Sequence, residues 1–196
     1  ALEDLRTMII DGQFNDWRQN NDNIAVDLSG IDLTDQVITG ANFESCNFTG
    51  AKLLRAFFGR CNFHAADLTG ADLTETTFDD RCELADATLE GVNFTHTKFL
   101  NSNLRGAILV PHDNNFGGTS FERSDLSEID LGGNVFEGVS FKGATMHRVQ
   151  MVRCHLDDCD FTGAKLNETV LNDCSCTKCP FDNAMFDGGD MSRTCW

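Results

Sequence analysis

Tyrosine is absent from this 196-residue chain, and proline occurs only twice, at Pro111 and Pro180. Both features are unusual for an ordinary domain. Basic residues are scarce: 15 Lys and Arg stand against 31 Asp and Glu, a formal net charge of −16. Such a balance argues against direct binding to nucleic acid or to an anionic membrane surface, since both are polyanions, and it favours solubility or a basic partner. No apolar run approaches the roughly 18 to 20 residues that a helix needs to cross a bilayer, so no membrane association is expected. The opening Ala1-Leu2-Glu3-Asp4-Leu5 shows no basic segment followed by an apolar one, which speaks against a signal peptide and for a cytoplasmic location. The chain starts on alanine rather than methionine, which leaves room for a segment processed away before it.

Catalytic motifs are also missing. The sequence has no His-Glu-x-x-His, no Cys/His pair at triad-like local spacing and no glycine-rich phosphate loop. Its five histidines (His64, His96, His112, His147, His155) are scattered. The Gly-Gly pairs at 117–118, 132–133 and 188–189 open no helix and read as turns rather than phosphate cradles. The expectation is a protein that is not an enzyme and holds no cofactor.

What the sequence does have is a period of five. From Leu28 an apolar residue returns at Leu33, Ile38, Phe43, Phe48, Leu53, Phe58, Phe63, Leu68, Leu73 and Phe78. One extra residue near Arg81 shifts the frame, which resumes at Leu84 and runs to Leu109. Two more extra residues fall within Pro111–Asn114, and the frame then continues from Phe116 to Trp196. Five matches neither the 3.6-residue period of a helix nor the two-residue period of a strand. Two residues before each of these centres sits a small residue, as at Ala41, Cys46, Ala51, Ala66, Ala71 and Ala164, and the residue just before it is often Asp or Asn.

Segments such as AADLTGADLTE and GANFESCNFTGAKL carry this pattern almost ideally, and over residues 26–196 the chain resembles the pentapeptide-repeat family. The resemblance implies an all-β fold, a right-handed quadrilateral parallel β-helix in which four pentapeptides make one square coil. Centre and small residue would point inward, the other three outward, in about eight coils. Every fourth centre should then share a column, and these are Ile38, Phe58, Phe78, Phe99, Phe121, Phe141, Phe161 and Phe181. The column survives both frame shifts, so the extra residues read as corner bulges. Coils would stack roughly 4.8 Å apart, giving a rod on the order of 40 Å long with an edge at each end to be covered. Residues 1–25 read as a helical cap. Leu2, Leu5, Met8 and Ile9 form a helical stripe, Gly12 stops it, and Phe14 and Trp17 follow. Trp17 at one end and Trp196 at the other are the candidate capping side chains.

Nine cysteines invite a metal-site reading that the repeat frame opposes. Cys46, Cys61, Cys82, Cys154, Cys159, Cys174 and Cys179 occupy the small inward position, Cys176 is a centre, and only Cys195 points outward. Buried thiols acting as small hydrophobes account for the inward set, and free thiols suit a reducing compartment. Three pairs, Cys61/Cys82, Cys154/Cys174 and Cys159/Cys179, lie one coil apart and within reach of a disulfide. Cys195 is the candidate reactive thiol.

Sorting outward charges by column gives three acidic faces and one near neutrality, the phenylalanine face, where Asp79, Asp80, Glu122, Asp160 and Asp182 meet Arg60, Arg81, Lys98, Arg123 and Lys142. The expected role is a non-catalytic protein-binding or scaffold module for a protein partner the sequence does not identify. Arg81, Pro111, His112, Asp113 and Asn114 are its candidate contact loops. The alternative comes from the resemblance: the quinolone-resistance members of the family mimic a DNA rod and bind type II topoisomerases such as gyrase. Those proteins commonly dimerise through a C-terminal helical extension, whereas the helical segment here is N-terminal. The sequence leaves monomer and dimer open.

Overall fold

The computed structural model describes residues 1–21, 24–109 and 114–195. Two helices, α1 (Leu2–Ile10) and α2 (Phe14–Gln19), precede a parallel β-solenoid of about seven turns. The expected eight coils correspond to eight centres in the phenylalanine column, and eight centres bound seven intervals. Short strands line two faces. β1 (Val37–Thr39), β2 (Phe57–Gly59), β3 (Thr77–Asp79) and β4 (Lys98–Phe99) form one sheet. β5 (Val135–Glu137), β6 (His155–Asp157) and β7 (Ser175–Thr177) form the other. Elsewhere successive turns meet through single parallel pairings, such as Asn42 with Asn62 and Asn47 with Asp67.

Register holds across both insertions. Phe78 pairs with Phe99 across the extra residue at Arg81, and Asn93 pairs with Asn115 across the second. Asp80 and Arg81 absorb the first bulge with consecutive positive φ values of 56° and 69°. Each ordinary corner places one residue in the left-handed region, and glycine pays no Cβ penalty there. Gly30, Gly50 and Gly70 take it on successive turns of one corner.

The preference for Asp or Asn just before each centre has a local cause. Its side-chain oxygen accepts the backbone N–H two residues on, satisfying a donor that the tight corner strands. Asp67 does so for Thr69 at 2.9 Å, Asp72 for Thr74 at 3.0 Å and Asn47 for Thr49 at 2.9 Å.

Centres and small residues point inward and are buried along nearly the whole rod. The phenylalanine column is a continuous stack. Ring centroids lie 5.2 Å apart at Phe58–Phe78, 5.0 Å at Phe78–Phe99, 5.4 Å at Phe99–Phe121 and 5.5 Å at Phe121–Phe141. Phe141–Phe161 follows at 4.8 Å and Phe161–Phe181 at 4.6 Å. The planes stay within 18° of parallel throughout. In-register stacking at the strand spacing forces this offset-parallel geometry, which aromatic rings tolerate well. Phe181, expected in the core with the others, is only half-buried, because it lies in the final turn, where Met185, Phe186 and Met191 are also exposed.

At the N-terminal end Ile9 and Phe14 are buried against the first turn, with Leu5, Met8 and Trp17 packed beside them. Phe14 links the helices to the core, 5.3 Å from Phe43 and 5.8 Å from Trp17. Trp196 lies outside the described residues.

Candidate interaction surface

Outward side chains are held in rows along the rod because each turn repeats the one before it. Carboxylates dominate these rows. Asp27, Asp32, Asp67, Asp72, Asp125, Asp130, Asp160 and Asp190 each accept a backbone N–H two residues on, at 2.8–3.0 Å. Those contacts fix one oxygen of each carboxylate, and in Asp190 the other accepts from Asn172 of the turn before at 2.8 Å. The backbone N–H of Ser29 holds the Asp27 carboxyl below the usual carboxylate range, and Ser192 does the same for Asp190. Hydrogen bonds from the Thr34 side chain and backbone depress Asp32 likewise. These groups therefore stay ionised at neutral pH.

Arginines bridge turns at the corners. Arg55 grips Asp35 through two bonds of 2.6 and 2.8 Å, and Arg193 grips Asp173 through two of 2.6 and 2.9 Å. Arg105–Glu128 and Arg148–Glu168 each close at 2.8 Å. On the phenylalanine face Arg60 meets Asp80 at 3.0 Å and Arg123 meets Glu122 at 3.2 Å. All of these pairs are solvent-exposed and contribute little to stability, but they set where net negative charge remains.

The sequence-derived contact loops separate in the structure. Arg81 is exposed on its corner bulge and borders an open groove of about 270 Å³ with Asn101, Asn103, Arg123 and Asp125. Pro111, His112 and Asp113 lie outside the described residues. Asn114 does not belong to an exposed loop: it is 9% exposed and occupies the small inward position before Phe116. There its amide donates to Asn134 of the next turn at 3.4 Å. Asn115, read from sequence as the end of the Pro111–Asn115 insertion, is likewise back in the repeat, paired with Asn93 of the turn before.

The inward thiols have a role beyond filling space. Cys61 and Cys82 donate to the carbonyls of Ile38 and Phe58, at 3.6 and 3.1 Å, and in the same column Ser102 and Ser124 donate to Phe78 and Phe99. Thr76, Thr97 and Thr119 make the equivalent bond elsewhere, as do Cys154, Cys159, Cys174 and Cys179. Cysteine, serine and threonine are thus interchangeable donors to the carbonyl of a centre one turn before. All nine cysteines are free, and among the described residues no cluster of three or more Cys, His, Asp or Glu is arranged to hold a metal ion. Burial pushes Cys46 up to about 11 and Cys176 up to about 12, so neither is a nucleophile at neutral pH.

Sequence reasoning missed three polar side chains of the helical cap. Arg6 donates to the carbonyl of Asp32 at 2.6 Å, and Arg18 donates to that of Glu44 at 2.7 Å. Asn15 donates to Gly40 at 2.7 Å and accepts from the Asn42 N–H at 2.8 Å. Beside them a cleft of about 660 Å³ opens between α2, Ile24, Ala25 and the first turn. Periodicity carries no signal for these residues, since none is apolar or in the repeat.

A family description, pentapeptide repeats in eight copies, matches residues 24–53, 41–80, 81–110, 119–158 and 154–195. Comparison with curated protein sequences finds no match. Among solved structures, trypsin-treated QnrB1, a plasmid-mediated fluoroquinolone resistance protein, is 18% identical, with 87% of this chain and 91% of that chain covered and a TM-score of 0.47. HetL, involved in heterocyst differentiation regulation in the cyanobacterium Nostoc, is 14% identical over 92% of this chain and 93% of that one, with a TM-score of 0.30. A protein of the Arabidopsis thaliana thylakoid lumen is 29% identical over 55% of this chain and 70% of its own, with a TM-score of 0.28.

Proposed function

The chain belongs to the pentapeptide-repeat family, and from that premise we propose that it is a non-catalytic binding module whose acidic faces receive a basic surface of a protein partner. One observation carries the reading: eight aspartates are locked outward by their own backbone. A charge already fixed in place loses little side-chain freedom on binding, so more of its attraction survives as affinity and as association rate. Arg81, exposed on its corner bulge, breaks the uniformity of the rod and supplies specificity. The free thiols favour a reducing compartment such as the cytoplasm. The test is quantitative affinity capture from cells, comparing the wild-type chain with a D27N/D32N/D67N/D72N variant and an Arg81 deletion. Partners retained by the wild type, released by moderate salt and lost from the quadruple variant support the reading. An identical capture profile for all three chains removes it.

The second reading is DNA mimicry toward a type II topoisomerase, favoured by the combination of a narrow rod and a net charge of −16. A gyrase supercoiling assay, with and without a fluoroquinolone, separates the two. Inhibition or drug protection at low micromolar protein, lost in the quadruple variant, selects mimicry. No effect at high protein concentration leaves the general binding module.

A further inference from the structure

The three stacked cysteine pairs are chemically unequal. Cys61 with Cys82 and Cys154 with Cys174 are buried, each at 2% exposure or less. In the third pair Cys159 is buried but Cys179 is only half-buried, so the pair lies closer to solvent than the other two. The two residues hold the same position on consecutive turns, where parallel stacking places Cα atoms about 4.8 Å apart, inside the range a disulfide spans. The strand just before them is in register, His155 with Ser175, Leu156 with Cys176 and Asp157 with Thr177, which carries the two cysteines into the same column. Each sulfur lies within hydrogen-bond reach of two carbonyls, Cys159 of Phe136 and Asp157 at 3.4 and 3.5 Å, Cys179 of Leu156 and Thr177 at 3.6 and 3.4 Å.

We propose that Cys179 is a peroxide-reactive thiol and that Cys159, one turn before it, is its resolving partner, so that the pair closes to a reversible disulfide.

The chemistry balances without another reagent. The Cys179 thiolate attacks one oxygen of hydrogen peroxide; the O–O bond breaks, the departing oxygen leaves as water after taking a proton, and a sulfenic acid remains. The Cys159 sulfur then attacks the Cys179 sulfur, the S–O bond breaks, and hydroxide leaves as a second water with the proton from Cys159. Two sulfurs lose two electrons in total and the peroxide gains two. The hydrogen bond from Cys159 holds Cys179 down, to about 7, while the same contact and burial push Cys159 up. At neutral pH Cys179 is thus the more readily ionised thiol of the two. The nucleophile and its resolving thiol are therefore already assigned by environment.

The experiment uses the full chain carrying Cys195→Ser, which removes the other exposed thiol. It is treated with near-stoichiometric hydrogen peroxide at pH 7, unfolded, alkylated and weighed. Relative to the untreated chain the expected mass falls by two alkyl groups, the linkage maps to Cys159–Cys179, and a dithiol reductant reverses it. Native-state alkylation is expected to label Cys179 at least about tenfold faster than Cys159, following thiolate fraction and access. Adding Cys159→Ser, which keeps a donor to the same carbonyls, leaves a sulfenic acid on Cys179 that dimedone traps. Adding Cys179→Ser abolishes the mass loss. Circular dichroism shows whether each variant keeps its fold. The proposal is overturned if every thiol of the treated chain stays alkylatable, if a buried pair links as fast as Cys159–Cys179, or if the folded Cys159→Ser chain gives no dimedone adduct.

Discussion

The side-chain amide of Asn15 stands in for a strand against Asn42, its oxygen accepting the Asn42 N–H at 2.8 Å. One turn further on, the equivalent N–H of Asn62 is taken by the backbone carbonyl of Ala41. Arg6 and Arg18 do likewise for the carbonyls of Asp32 and Glu44, whose counterparts Lys52 and His64 receive the backbone N–H groups of Leu33 and Ser45. Three cap side chains thus occupy edge positions that a preceding turn would fill. An open strand edge invites association with another chain, and these bonds close it.

Asn15→Ala is expected to cost about 1–3 kcal/mol by leaving the Asn42 N–H without its partner. The accompanying sign is a concentration-dependent rise in apparent mass by light scattering, with no such rise in Asn20→Ala, whose amide donates within the cap to the Asp16 carbonyl. Unchanged stability and mass for Asn15→Ala would show that the cap covers the edge by apolar packing alone.

The thiol of Cys82 is a donor to Phe58 first and a hydrophobe second. Cys82→Ser keeps that bond, as Ser102 does one turn later, and is expected to stay within about 1 kcal/mol of wild type. Cys82→Val fills the space but removes the donor, and should lower the unfolding midpoint clearly more than serine does. The opposite order in a urea titration would mean that apolar volume decides this position.

Gly189 and Gly50 both adopt positive φ, 83° and 65°, yet differ in what a side chain would meet. A Cβ at Gly50 finds nothing within 4 Å, so Gly50→Ala is expected to cost only the left-handed strain, about 1–2 kcal/mol. At Gly189 the same atom would sit 2.2 Å from the Thr169 carbonyl oxygen, and backbone has to move. Gly189→Ala should therefore disturb the final turns, seen as faster amide exchange around Thr169 and Asp190 than in Gly50→Ala.

Acid should destabilise the rod in one direction. Asp27, Asp32 and Asp190 all lie below the ordinary 3.8 in the folded chain. A depressed carboxyl contributes stability that is fully present above its unfolded value and is lost as pH falls through the folded one. Thermal midpoints are expected to hold from neutrality to about pH 5 and to fall below about pH 4. Asp27→Asn and Asp190→Asn should flatten that fall, since the amide oxygen still accepts the backbone bond but no longer titrates.

How much was legible in advance differs by level. Burial every five residues, with a small residue two before each centre, belongs to each pentapeptide separately, so Phe58 through Phe161 were readable as a buried column. Column spacing across the extra residues even placed the bulge at Arg81, because a stack of phenylalanines tolerates no slip. The stripe of Leu2, Leu5, Met8 and Ile9 likewise marked the first helix. What joins one turn to the next left less trace in the sequence. Which carbonyl lacks a partner, and which thiol or hydroxyl reaches it, depends on atoms some 23 residues apart along the chain. Composition made Asn114 look like a loop residue, and only its stacking on Asn134 put it in the core. The edge bonds of Arg6, Asn15 and Arg18 followed from the helices docking on the first turn. Hydrophobic periodicity is a property of the chain taken alone, whereas hydrogen-bond satisfaction and thiol exposure are properties of neighbours, and these come into being only when the turns stack.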